Sequence, residues 1–98
     1  MQRATRIGDL STGHDACQAM PLEPYDNPNV FINGLGAGRL YDKYETHGCP
    51  AHAPHQDFIS QGSSTVFING LPAGRVGDAV NIGGEVAEGS ESVFIGGG

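Results

Sequence analysis

The sequence has 98 residues, which is enough for one small domain over residues 1–98 but not for two separate hydrophobic cores. Sixteen glycines and six prolines disfavour long helices, and a hydrophobic fraction of 38% without tryptophan leaves little material for a core. The formal charge of −6 comes without any cluster of basic residues, which argues against binding to nucleic acid or to an anionic membrane surface. A domain this poor in core residues needs a disulfide, a metal ion or a partner for its stability.

The N-terminal residues lack the apolar core of a signal peptide, and no stretch approaches the roughly 18 apolar residues of a membrane helix. We therefore expect the protein to be made in the cytoplasm, and any export to use another route.

Two short motifs alternate along the chain. An Arg-x-x-Asp motif occurs at residues 6–9, 39–42 and 75–78, and each copy is followed, after a variable loop, by a Val-Phe-Ile motif. Repetition at a regular spacing is typical of an architecture built from stacked units. The sequence predicts three units, at about residues 6–34, 39–70 and 75–98.

Each unit is predicted to consist of short strands and turns, so the fold class is all-β. Val-Phe-Ile favours a strand, and the Asn-Gly that follows its first two copies is a strong hairpin signal because both residues tolerate positive φ. The third copy has no returning strand after it, whereas residues 2–7 precede the first Arg-x-x-Asp motif. We predict that the two ends pair and close a ring of three units; the alternative is three loosely stacked hairpins. The repeated Arg and Asp are interpreted as structural pairs that fix each turn.

All four histidines and both cysteines lie in the first two variable loops. His14 follows Asp9, and His47 follows Asp42, at the same distance, so the repeat would bring the two histidines together near the axis of the ring. The segment 47–55 (HGCPAHAPH) adds further imidazole and thiol groups, and these are the ligands that zinc prefers. A disulfide between the two cysteines is the competing interpretation, but it leaves the histidines unexplained.

The string at residues 66–78 (VFINGLPAGRVGD), together with His14 and the His/Cys loop, resembles the PAAR-repeat proteins. These proteins are the spike tips of contractile phage tails and of type VI secretion systems. The resemblance covers essentially the whole chain and implies a small cone of short strands with pseudo-threefold symmetry and a zinc-stapled apex. The tetrapeptide that names the family has drifted here to Pro72-Ala73-Gly74-Arg75, with Ala37-Gly38-Arg39 in the second unit.

The resemblance also implies a set of ligands for one Zn²⁺ per chain. Many members carry the cysteine ligand in the third unit, where this chain has Ile82 before Gly83-Gly84, and an isoleucine cannot bind metal. The ligands carried over residue by residue, with the missing cysteine replaced from the second loop, are His14, His47, Cys49 and His55, with His52 as the alternative fourth ligand and Cys17 after it.

For the whole protein, the resemblance implies a structural role and no enzymatic activity. The chain would cap a trimeric β-helical spike, either the central spike of a phage or a VgrG-like protein, and would form the membrane-piercing point. It would be located at the tip of a phage tail or secretion spike and would touch the target membrane only on piercing. The alternative is an adaptor that binds a secreted effector without capping a spike.

A zinc hydrolase is disfavoured because the sequence has no His-Glu-x-x-His motif and Glu45 is the only acid close to the ligand loop. The surface expected to bind the spike is formed by the repeated strands, which comprise Val30, Phe31, Ile32, Val66, Phe67, Ile68, Val93, Phe94 and Ile95.

Overall fold

The computed structural model describes residues 1–14, 17–49 and 52–98, and for residues 47–49 and 52–54 it describes the backbone alone. Over these residues the fold is all-β, as predicted, without a helix that could span a membrane. The strands are short: β1 (Gln2–Arg3), β2 (Phe31–Ile32), β3 (Leu35–Gly36), β4 (His47–Cys49), β5 (His52–His55), β6 (Phe67–Ile68), β7 (Leu71–Pro72) and β8 (Phe94–Ile95).

Two hairpins form at the predicted Asn-Gly turns. β2 pairs antiparallel with β3, and β6 pairs antiparallel with β7. The φ angles are 54° at Asn33 and 81° at Gly34, and 53° at Asn69 and 79° at Gly70. Positive φ at both central residues gives a two-residue turn the twist of its flanking strands, which is why Asn-Gly is favoured at these positions.

The two ends of the chain pair with each other. β1 lies antiparallel to β8, with Gln2 opposite Ile95 and Arg3 opposite Phe94. This pairing gives the third Val-Phe-Ile strand an antiparallel partner from the first strand of the chain. The prediction that the chain ends meet is therefore confirmed.

Three backbone hydrogen bonds form a closed circuit between the repeated segments. The N–H of Thr5 donates to the carbonyl of Gly74, that of Gly74 to Gly38, and that of Gly38 back to Thr5, at 3.2, 2.9 and 2.9 Å. A Cβ atom at Gly38 would lie 2.6 Å from Cγ2 of Thr5, and one at Gly74 would lie 3.1 Å from it. The circuit therefore has room for the Thr5 side chain only because its other two positions are glycine.

Each Arg-x-x-Asp motif forms a turn held by its own ion pair. In the third copy, the Asp78 carboxylate accepts the backbone N–H of Arg75 at 2.8 Å and guanidinium bonds at 2.8 and 3.1 Å. The turns at residues 6–9 and 39–42 contain the same set of bonds. These hydrogen bonds raise the pKa of Arg6 and of Arg39 above the ordinary value.

The third turn differs from the other two in one contact. Arg6 and Arg39 each extend a guanidinium N–H to the side chain of a hairpin asparagine. The third unit has Gly96 in place of that asparagine, and Arg75 donates instead to the carbonyls of Gly96 and Gly97 at 3.1 and 2.9 Å. As a result, this arginine lies deeper in the protein than its two counterparts.

The buried apolar side chains form two clusters. The first lies against the strand pairs and contains Ala4, Ile32, Ala37, Ile68, Ala73 and Ile95. The second lies toward the variable loops and contains Leu22, Tyr44, Ile59, Val80 and Val86. Both clusters contain residues from all three predicted units, so none of the units can form a core by itself.

Asp78→Asn should destabilise the protein much more than Asp9→Asn. The side chains of Arg75 and Asp78 are 1% and 2% exposed, whereas those of Arg6 and Asp9 are 17% and 11% exposed. Removal of one partner from a buried ion pair costs about 3–5 kcal/mol, and a more solvated pair loses less. Urea unfolding of the two variants would measure the difference, and equal losses would show that burial does not determine it.

Candidate metal site

Backbone bridges join the three units on the side of the variable loops. Leu22 bridges to Tyr44, Ile59 to Val80, and Val86 to Ser11. Each bridge runs from the end of one predicted unit's loop to the beginning of the next, and the last returns to the first unit. The loops are therefore anchored side by side, next to the second core cluster.

His14 is held between its own loop and the third unit. Its N–H donates to the carbonyl of Cys17 at 3.3 Å, and the N–H of Cys17 donates back at 2.7 Å. On the other side, a Cβ at Gly83 would lie 3.2 Å from the Cβ of His14, and a Cβ at Gly84 would lie 2.2 Å from the carbonyl oxygen of Gly13. The two glycines of the third unit thus form a backbone wall that leaves room for His14.

The segment 47–55 forms a hairpin of β4 and β5. His47 lies opposite His55 and Cys49 opposite His52 in the backbone register, with an irregularity between His47 and Cys49. The hairpin therefore places the candidate ligands of the second loop within one local unit. Of these residues, His55 is the one whose side chain lies within the described part of the chain.

Three side chains converge at this end of the molecule, and we call them the His–His–Asp cluster: His14, His55 and Asp57. The Asp57 carboxylate has one oxygen 3.4 Å from Nδ1 of His14 and the other 3.1 Å from Nε2 of His55. The side chains are 5%, 21% and 6% exposed, in that order. One donor atom from each lies within 4.8 Å of the others, so the cluster could hold a metal ion.

Two of the predicted ligands, His14 and His55, are thus brought together. The side chains of His47, Cys49 and His52 lie outside the described residues, so their role as ligands stays a prediction, which for Cys49 requires that it is not in the disulfide of Cys17.

The expectation that Glu45 is the only acid close to the ligand loop is wrong. Asp57 contacts both described histidines, whereas Glu45 is exposed to solvent. Asp57 follows His55 by two positions, and this short spacing was the available signal in the sequence.

Cys17 is disulfide-bonded and buried. The sequence contains one other cysteine, Cys49, whose side chain lies outside the described residues. A cysteine in a disulfide offers no thiolate, which is the form that binds metal. Cys17, the last of the predicted ligands, is therefore not a ligand in this state of the protein.

The backbone that carries Asp57 is fixed by Tyr44 and Gln56. The carbonyl of Asp57 accepts the N–H of Tyr44 at 2.9 Å, and the Gln56 amide donates to the carbonyl of Tyr44 at 3.2 Å and to the Glu23 carboxylate. Burial, with smaller contributions from two aspartates, raises the pKa of Tyr44 well above its usual value. Tyr44 thus stays a neutral phenol within the core.

Gly84→Ala should destabilise the protein and weaken metal binding, whereas Gly77→Ala should affect stability alone. Both glycines have positive φ, at 77° and 94°, so each substitution pays a conformational cost of about 1–2 kcal/mol. A methyl group at Gly77 meets nothing within 4 Å, but one at Gly84 would clash with the residue preceding His14. Urea unfolding and competition with a chelator would measure both effects; equal behaviour of the two variants would contradict the role of the glycine wall.

A family model described as PAAR motif matches residues 21–87. No curated protein matches the sequence at a significant level. The matched region contains the β4–β5 hairpin, Asp57 and the Gly83-Gly84 wall, and it covers more than half of the chain. The chain therefore belongs to the PAAR family.

Proposed function

We propose that this protein is the tip of a contractile injection machine, where it caps a trimeric β-helical spike and forms a zinc-stabilised, membrane-piercing point. Membership of the PAAR family supports a spike-tip role in general terms, and the family is structural and not enzymatic. The finer proposal rests mainly on one observation: exposed apolar side chains are repeated on three strand pairs next to the first core cluster, whereas the His–His–Asp cluster belongs to the variable loops.

The exposed side chains of the repeated strands form this surface, which we call the basal face: Val30, Phe31, Val66, Phe67 and Phe94. The three phenylalanines are 56%, 56% and 47% exposed, while the isoleucine after each is buried in the first core cluster. Of the nine residues predicted to bind the spike, the three isoleucines therefore serve the core, and Val93 is partly buried. The direct contacts fall to the phenylalanines and the first two valines.

A threefold apolar surface suits a threefold partner. A trimeric β-helix ends in three equivalent strand edges and an apolar core, and both need to be covered. One chain with three similar strand pairs can match that symmetry with one pair per subunit. A specific interface of this kind would bury more than about 1,000 Å² in total, so each pair would contribute about a third.

The metal ion would stabilise the opposite end. His14 and His55 would hold it, with further ligands from the β4–β5 hairpin, and imidazole donors favour zinc among the abundant divalent ions. A closed structural site adds its binding free energy to the stability of a domain with a small core. The piercing end would then resist deformation when the sheath contracts and drives the tip briefly through the target membrane.

Such a tip would be made in the cytoplasm and carried on the end of the assembled tail or secretion spike. The machine itself would provide the route of export, since the tip travels with the spike that it caps.

Freshly prepared protein should contain about one zinc ion per chain. His14→Ala and His55→Ala should each release the metal and lower the melting temperature, because a four-coordinate site loses much of its binding energy with one ligand. Glu45→Gln, which removes an exposed charge beside the same hairpin, should do neither. Elemental analysis would measure the metal and calorimetry the stability; native protein without any transition metal would contradict the proposal.

Phe31→Glu, Phe67→Glu and Phe94→Glu should each weaken binding to the trimeric β-helical spike at least tenfold, or by about 1.4 kcal/mol. A buried carboxylate at any one of three similar contacts lacks a compensating charge. Ile82→Glu is the matched control, because Ile82 is 53% exposed but adjoins the Gly83-Gly84 wall at the other end. Calorimetric titration with the purified spike would measure the affinities, and a loss confined to Ile82→Glu would mean that the protein docks the other way round.

A further inference from the structure

We infer that Asp57 is itself a ligand of the metal ion, so that this chain has an oxygen donor in its site alongside the imidazoles of His14 and His55. The inference rests on the metal-binding part of the proposed function but not on the docking to a spike. The family resemblance implied ligands of histidine and cysteine alone, and it gave no role to Asp57.

The repeated fold does not need a carboxylate at this position. A backbone hydrogen bond recurs in the three units at equivalent places, from Ser11 to Met20, from Tyr44 to Asp57 and from Val80 to Gly84, at 3.0, 2.9 and 3.2 Å. The same backbone hydrogen bond therefore forms whether the accepting residue is a methionine, an aspartate or a glycine. Met20 and Gly84 fill the same backbone role as Asp57. The carboxylate of Asp57 must therefore have a function that its backbone does not explain.

The burial of the Asp57 carboxylate suits a metal ligand. Asp57 is 4% exposed, and a buried carboxylate is costly unless it is paired or bound to a metal. The aspartates of the three repeated turns each have an arginine within the same turn. The described contacts of Asp57 include the imidazoles of His14 and His55, and a cation held by all three groups would compensate its charge.

The three donors lie close enough together to share a cation, with one donor atom of each within 4.8 Å of the others. In a tetrahedral site with bonds of about 2.0–2.2 Å, neighbouring donor atoms are separated by about 3.3–3.6 Å. An N–H···O hydrogen bond is usually about 2.9–3.0 Å long. The oxygen nearest His14 lies 3.4 Å from its Nδ1, within the range for two donors on one metal, whereas the other oxygen lies 3.1 Å from Nε2 of His55, within the hydrogen-bond range.

An oxygen ligand changes what the site requires of the cysteines. Cys17 is disulfide-bonded, and a disulfide sulfur does not replace a thiolate as a ligand. Asp57 supplies an anionic donor that does not depend on the redox state of the cysteines. The chain should therefore bind zinc in its oxidised form as well as in its reduced form.

The test is the Asp57→Asn variant of the full chain, prepared without reductant. Competition with a chromophoric chelator should show more than about 100-fold weaker zinc binding than in the wild type, since residues that act only through a ligand typically contribute 10–100-fold. Glu45→Gln is the matched control for loss of one negative charge beside the hairpin, and it should bind zinc as the wild type does. A Co²⁺-loaded oxidised chain should also lack the ultraviolet band of thiolate-to-cobalt charge transfer.

Stability with and without zinc separates a ligand from a carboxylate that only supports the fold. If Asp57 is a ligand, Asp57→Asn should lower the free energy of unfolding more in zinc-loaded protein than after chelation, because the variant loses zinc-binding free energy. An equal loss in the two states would overturn the inference. Equal zinc affinity in the variant and the wild type would also overturn it while leaving the zinc-stabilised tip intact; wild-type protein that binds no zinc would remove both.

Discussion

The circuit of backbone hydrogen bonds among Thr5, Gly38 and Gly74 is the constraint on which the rest of the structure depends. It brings three distant segments of the chain to one point, and it does so with backbone groups alone. Gly38 and Gly74 must lack a side chain because a Cβ atom at either position would crowd Thr5. Glycine is required there for this steric reason and not for a positive φ angle. The hairpins on one side and the Arg-x-x-Asp turns on the other continue directly from these residues, so both core clusters inherit their threefold arrangement from the circuit.

Much of this arrangement could be predicted from the sequence because its signals are local and repeated. Asn33-Gly34 and Asn69-Gly70 mark their turns by residue type, and the missing strand after Phe94 pointed to β1. Which face each strand residue takes could not be predicted, since strands of two residues are too short to show an alternation. Asp57 was missed because its partner His14 belongs to another unit, and its own backbone position is occupied by unrelated residues in the other two.

The departures from threefold symmetry all concern what each unit must do at the two ends. At the cluster end, the first and second units carry the donor side chains, and the third contributes Gly83 and Gly84, which leave space for them. At the basal end, the strand β1 places Gln2 and Arg3 where β3 has Leu35 and Gly36. The framework in between keeps the same Arg–Asp turn in all three units, although Arg75 donates to Gly96 and Gly97 and is buried more deeply than Arg6 and Arg39.

The pairing of β1 with β8 also determines how the chain can acquire its structure. Gln2 and Arg3 are synthesised well before their partners Phe94 and Ile95, which lie far from them in the sequence. Until then the first core cluster lacks Ile95, and the exposed apolar strands have only partial cover. Contacts between residues so far apart in the sequence close slowly, since the loop entropy is lost before they form. The first core cluster is therefore complete only once β8 has been synthesised and has paired with β1.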